Sequence, residues 1–354
     1  MNSKQRFVQA MEYRGYDRPP THFYGTPEIT ADLMEVLQVK TYEDLLLALG
    51  TDIRHVDPRY IGPELPVHPD GSWEGFWGER YMNYNFGKGT YPEACYLPYE
   101  NITDPEDLKN FRMPSADWFD YSHIREDCEH WKDYVICIQG AGTPDFMNGI
   151  ARCRGVTQVL YDVGTEDPVY LELCRQRFEF FYEMIERTLQ AAEGLIDVVC
   201  FGEDLGNQGG IMISPAKFEK MFAPFMKELF ALAHKYNART MMHCCGSVHD
   251  LLQRLIDLGL DIIEVVQVDA AKMNIEDLHR EFYKKVGFCG SMSVQSTLPF
   301  GTREDVVREV NLRKELFKEG GMIIAPTHAI QVGTPIENII AMYEAIGSLH
   351  TVCA

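Results

Sequence analysis

From about Lys132 onward, short apolar runs alternate with longer segments whose apolar positions recur every three or four residues. That alternation is the pattern of βα units around a parallel sheet. The runs predict strands at 134–138, 197–201, 239–245, 261–267, 285–290 and 322–326. Upstream, runs at 21–24 and 52–56 flank a helical stretch over 29–49 and bring the count to eight. Eight strands with helices between them predict a (β/α)8 TIM barrel.

The connecting segments carry helix punctuation. In 168–194, Leu171, Cys174, Phe178, Phe181, Ile185 and Leu189 form one apolar stripe. Ser214-Pro215 and Thr334-Pro335-Ile336-Glu337 read as helix starts, the latter as a capping box, while Gly194, Gly259 and Gly320 read as stops. Residues 57–133 are rich in Pro, Gly, Trp and Tyr and show little periodicity. They predict an irregular excursion after the second strand, with a hairpin around 73–86, of the kind that covers an active site. There is no fixed-period repeat and no low-complexity linker, so residues 1–354 are read as a single domain.

Composition narrows the partners. Hydrophobic residues at 45% and charged residues at 24% suit a folded chain with a large core. A formal net charge of -20, with no basic stripe to offset it, argues against nucleic acid. No run approaches the roughly 18 apolar residues of a membrane span, and the first residues are polar, so a cytoplasmic location and no membrane are expected. The ten cysteines are scattered without a Cys-x-x-Cys pair, and most are expected to be reduced core thiols.

In a parallel barrel, function gathers at the carboxyl ends of the strands. Those ends read Gln139-Gly-Ala-Gly142, Gly202-Glu-Asp-Leu-Gly206, His243-Cys-Cys-Gly246, Gln267, Ser291 and Thr327-His328. Strand alternation turns His243 and Cys245 to one side, toward the mouth, and Cys244 toward the helices. An imidazole and a thiolate together are half of a zinc site, and His328 and Glu203, at other strand ends, are candidates to complete it. Each has a plainer reading: a hydrogen-bonded core pair for His243 and Cys245, helix capping for Glu203 and Asp204, a structural role for His328. Asp57, with Arg54 and Arg59, suits either a substrate contact or a surface ion pair. Tyr24, Trp73, Trp77 and Trp118 suit either an aromatic pocket or loop packing.

These stretches, with Asp17-Arg-Pro-Pro20, Ile213-Ser-Pro215, Phe288-Cys-Gly290, Gly301-Thr302, Ala325-Pro-Thr-His328 and Pro335-Ile-Glu-Asn338, resemble the uroporphyrinogen decarboxylase superfamily over most of the length. That superfamily places decarboxylases and cobamide-dependent methyltransferases on one barrel. The resemblance to its methyltransferase branch implies catalytic zinc on a His-x-Cys pair, matched by His243 and Cys245, and a later cysteine, where this chain has His328. Histidine there is similar to the decarboxylase branch, but 21–26 lacks that branch's arginine pair, and Asp57 falls only near its aspartate.

The first expectation is therefore a zinc-dependent methyltransferase that moves a methyl group between a small methylated substrate or thiol and a corrinoid on a separate protein. In it His243, Cys245, His328 and Glu203 are metal ligands, and Glu203, Asp204 and His328 serve the chemistry. Tyr24, Asp57, Gln139, Gln208 and Gln267 contact or orient the substrate. The alternatives are a metal-free carboxy-lyase resembling uroporphyrinogen decarboxylase, with His328 and Asp57 on the substrate, and a non-catalytic binding protein on the same barrel. A homodimer is compatible with all three.

Overall fold

Strand pairing follows chain order. β1 (Ile53–His55), β2 (Val135–Pro144), β3 (Val198–Gly202), β4 (Arg239–His243), β5 (Ile262–Val265), β6 (Gly287–Met292) and β7 (Met322–Pro326) form one sheet, each parallel to the next. The computed structural model describes residues 1–350. The sheet curls as a TIM-barrel-like fold, with helices between successive strands.

The expected first strand at 21–24 is not a strand. It survives as two isolated parallel bridges, Thr21 to Ile324 and Gly25 to Ile330. Pro19 and Pro20 lie just ahead of it, and proline has no N–H to extend a ladder. The segment nevertheless joins β7 to β1. Ile324 N–H donates to the Pro20 carbonyl and Asp52 N–H to the Thr21 carbonyl, both at 2.9 Å. Below it, Asp52 accepts from Arg6 at 2.6 Å, Arg18 at 2.8 Å and Thr21 N–H at 2.8 Å, which explains the Asp17-Arg18 stretch as an anchor of the chain's start.

Two buried layers result. Alternate strand residues Ile53, Cys137, Cys200, Met241, Cys289 and Ala325 fill the inside of the curl, and helix Ser3–Met11 plugs its amino-terminal end with Phe7, Ala10 and Met11. The opposite faces, such as Ile138, Val199, Met242, Ile263 and Ile324, pack against the helices. Both faces of β2 to β7 are thus largely apolar, as parallel strands under a helix layer require, whereas β1 turns Arg54 to its second face.

Several elements differ in detail from the sequence reading. The stretch 29–49 is two helices, Pro27–Val36 and Tyr42–Leu49. The long helix is Pro168–Ala192, and its buried stripe runs through Leu173, Cys174, Phe181, Ile185 and Leu189, leaving Leu171 exposed. Thr334 makes no cap: helix Ile336–Ile346 starts behind Pro335 without a side-chain cap. β2 extends through Gln139-Gly-Ala-Gly142 rather than ending before it. The excursion holds a three-stranded antiparallel sheet, Trp73–Glu74, Arg80–Asn85 and Thr90–Tyr96.

Seven cysteines are buried free thiols, Cys95 is exposed and Cys245 half-buried; Cys353 lies outside the described residues. Among the described residues no helix is long and apolar enough to cross a membrane.

Candidate metal centre

Met241 points into the curl, so His243, two residues on, does the same at the end of β4. The chain then leaves the strand, with Cys244 buried in the helix-side layer and Cys245 at the mouth. Cys245 Sγ lies 3.4 Å from His243 Nε2. His328, just past β7, brings its ring to 5.9 Å from that of His243, and one ligand atom from each of the three residues lies within 4.8 Å of the others.

The donor set fits zinc. Zinc bonds of about 2.0–2.3 Å in a tetrahedron put neighbouring ligand atoms roughly 3.5 Å apart, close to the His243–Cys245 separation. Two imidazoles and one thiolate leave the fourth position of a tetrahedron open for a substrate.

The surroundings hold these side chains in place. Behind His243, Nδ1 faces Glu264 Oε2 at 3.7 Å, and Glu264 is almost wholly buried inside the curl. Burial works against a charged His243, but Cys245 and Glu264 outweigh it and hold its pKa well above the ordinary value. Burial likewise opposes ionised Glu264, and His243 outweighs it, so the carboxyl pKa is lowered. Desolvation at the mouth and then His243 lower the pKa of His328.

The loop after His243 is clamped from three sides. Cys245 N–H donates to Asp204 Oδ1 and Gly246 N–H to Gln267 Oε1, both at 2.6 Å, and Ser247 N–H donates to the Asn207 carbonyl at 2.8 Å. Gly246 has φ +72°, and a Cβ there would meet the Asn207 backbone at 2.7 Å; one on Gly206 would meet the Ser247 carbonyl at 2.2 Å. Only glycine lets the loops carrying Glu203-Asp204 and His243-Cys245 approach this closely.

Asp204 also accepts from Asn148 Nδ2 at 2.8 Å, so it positions the Cys245 backbone. Glu203 is not brought to the cluster. Its buried carboxylate accepts Phe146 N–H at 2.7 Å and Met147 N–H at 2.9 Å, ahead of helix Asn148–Arg154. Burial and then Asp145 push its pKa well up. Gln208 and Gln267 line a cavity of about 460 Å3 at the mouth, with Cys245, His328, Gln295 and Gln331. Gln208 Nε2 donates to Gln295 Oε1 at 3.0 Å.

Asp57 and Gln139 lie together elsewhere on the rim, with Gln139 N–H donating to Asp57 Oδ1 at 2.7 Å, and they face a different chamber. Desolvation raises the Asp57 pKa. Tyr24 packs edge-on to His22, with 4.4 Å between ring centroids. Arg54 is buried against Glu43 and the Tyr134 ring, and Arg59 pairs with Asp127, so neither belongs to the centre. Trp77 walls the Asp57 chamber, whereas Trp73 stacks on Tyr81 and Trp118 packs on Tyr60.

Glu264 and His22 escape the sequence reading. An acidic residue in the apolar run Ile262-Ile-Glu-Val265 was the available signal for Glu264.

A family model described as Uroporphyrinogen decarboxylase (URO-D) matches residues 105–349. The chain belongs to the uroporphyrinogen decarboxylase family. Its match spans β2 to β7 and all three residues of the cluster. Among curated proteins, the chloroplastic uroporphyrinogen decarboxylase of Nicotiana tabacum is 27% identical over 141 residues, 39% of this chain and 34% of that one. The chain thus matches about a third of that relative's length. Among solved structures, a methyltransferase from Methanosarcina mazei superposes with a TM-score of 0.61 at 18% identity, covering 98% of each chain. At that identity the likeness is one of fold. Family membership makes the chain one of an enzyme family.

Proposed function

We propose that this protein is a zinc-dependent methyltransferase that moves a methyl group between a small substrate and a corrinoid carried by a separate protein. The observation that carries this reading is the convergence of His243, Cys245 and His328, with ligand atoms within 4.8 Å of one another. Bound there, zinc supplies a Lewis acid that lowers the pKa of a substrate thiol or polarises a leaving heteroatom.

The chain's own residues do the rest. His243, Cys245 and His328 hold the ion, and Glu264 keeps the His243 ring oriented from behind. Asp204 holds the Cys245 backbone, so that the thiolate meets the ion without rearrangement. Gln208, Gln267, Gln295 and Gln331 give the adjoining cavity amide walls. Such walls suit a small substrate bound by neutral hydrogen bonds better than a tetrapyrrole bearing several carboxylates, and this weighs against the carboxy-lyase reading.

Metal analysis of the purified protein tests the reading. About one zinc per chain is expected, from the His243, Cys245 and His328 site, and it should be lost in Cys245→Ala. Methyl transfer from methylated thiols, ethers or amines to a corrinoid protein should depend on that zinc, and uroporphyrinogen should be inert. A zinc-free protein, or one that decarboxylates uroporphyrinogen, overturns the proposal.

A further inference from the structure

A second chamber, of about 380 Å3, opens between the excursion and helix Pro168–Ala192, beside the ends of β1 and β2. Six aromatic side chains stand in its walls. Trp77 meets Phe180 edge-on at 5.8 Å between centroids, and Phe76 meets Phe119 edge-on at 5.7 Å. Faces and edges held this way favour a flat aromatic guest.

Arg177 sets the charge of that guest. Its side chain is 5% exposed, and Nε and Nη2 both donate to the Pro144 carbonyl, at 2.8 and 2.6 Å. Its guanidinium lies over the Trp77 ring, 4.8 Å from the centroid. Among the described residues no carboxylate lies within the 4.0 Å of an ion pair to it. Buried Asp145 and Glu79 act on it from a distance, without touching it. A buried cation with no carboxylate in contact is costly, and an anion bound directly to it reduces that cost. Arg152, half-exposed, lines the same chamber and pairs loosely, at 3.8 Å, with buried Asp145, leaving donors free for a guest.

The two acids on the wall are already engaged. Glu79 accepts Trp77 N–H at 3.0 Å and the Tyr81 hydroxyl at 3.1 Å, and Asp57 accepts Gln139 N–H at 2.7 Å. Burial raises the pKa of both, which weakens their opposition to an anion.

We propose that this chamber binds a single-ring aromatic carboxylate, with the ring between the aromatic walls and the carboxylate on Arg177 and Arg152. The volume lies at the small end of the roughly 300–1,000 Å3 of small-molecule sites, which suits one ring. Guanidinium groups suit a carboxylate because their paired N–H donors match its two oxygens. The site stands independently of the metal centre and of methyl transfer.

Calorimetric titration of the full chain, with and without zinc, tests it using benzoate and 4-methoxybenzoate as probes. Saturable binding at one site per chain is expected, about tenfold or more tighter than for cyclohexanecarboxylate or benzamide, a difference calorimetry resolves readily. Arg177→Gln and Arg152→Gln should each weaken benzoate by about tenfold or more. Arg152→Gln leaves the Pro144 contacts intact, so it remains informative should Arg177→Gln misfold. The proposal is overturned by an absence of saturable binding, by equal binding of cyclohexanecarboxylate, or by benzoate affinity unchanged in Arg152→Gln and in a folded Arg177→Gln. Loss of benzoate binding in Cys245→Ala but not in the arginine variants would place the anion in the mouth cavity and overturn it equally.

Discussion

Asp204 Oδ1 accepts the backbone N–H of Cys245 at 2.6 Å, tying the loop after β3 to the residue that presents the thiol. Its other oxygen is held by Asn148 at 2.8 Å, so the carboxylate has little freedom to turn away.

Removing that support should loosen the metal without unfolding the barrel. For Asp204→Ala, zinc affinity is expected to fall about 10–100-fold, the usual cost of losing an outer partner of a metal ligand. Competition with a chromogenic chelator measures it, and circular dichroism should stay unchanged. Wild-type affinity in this variant would show that the Cys245 backbone needs no such anchor.

Glu264 acts from the other side. Glu264→Gln keeps the volume but removes the charge facing His243 Nδ1, and a drop in zinc affinity of about 10–100-fold is again expected. In a double-mutant cycle with Asp204→Ala the two losses should couple rather than add, because the groups they support stand 3.4 Å apart at one ion site.

Glu203 separates a ligand from a structural acid. Glu203→Ala strands the Phe146 and Met147 amides and should cost about 2–4 kcal/mol of stability in a urea titration. Zinc content of the folded fraction should be unchanged, since its carboxylate is committed to those two amides. Loss of zinc at full stability would instead make it a ligand.

His22 predicts an acid limb in the stability profile. Both ring nitrogens are buried without a partner, and burial, then the neighbouring His55, lower the pKa to about 3. The unfolded ring takes up a proton below its ordinary pKa of about 6.5, whereas the folded ring does not. This contribution is therefore full above that pH and is lost as pH falls toward 3, at about 1.4 kcal/mol per pH unit. Between pH 6.5 and 5, His22→Leu should lose about 2 kcal/mol less stability than wild type. Equal losses in the two proteins would refute the assignment.

Much of the barrel was legible because parallel strands buried on both faces leave largely apolar runs, and six such runs are β2 to β7, with β1 falling in the more polar run at 52–56. The segment 21–24 misled because its apolar character reflects burial, while Pro19 and Pro20 deny it a ladder. The same burial hid the working partner of His243. Glu264 sits within an apolar run and shows its role only when β5 lies beside β4, where His243 pairs in register with it.

By itself the sequence determined the order of strands and helices, the two-residue spacing that turns His243 and Cys245 toward one mouth, and the glycines at the ends of their loops. These follow from local periodicity and backbone sterics, which neighbouring residues decide. Only the tertiary structure decided that His328 joins the pair, that Glu203 turns to the Phe146 and Met147 amides, and that Arg177 lies over the Trp77 ring with no carboxylate in contact among the described residues. Those relations link residues 55 or more positions apart or depend on how the excursion packs. Closure of the sheet sets them, and no local pattern encodes it.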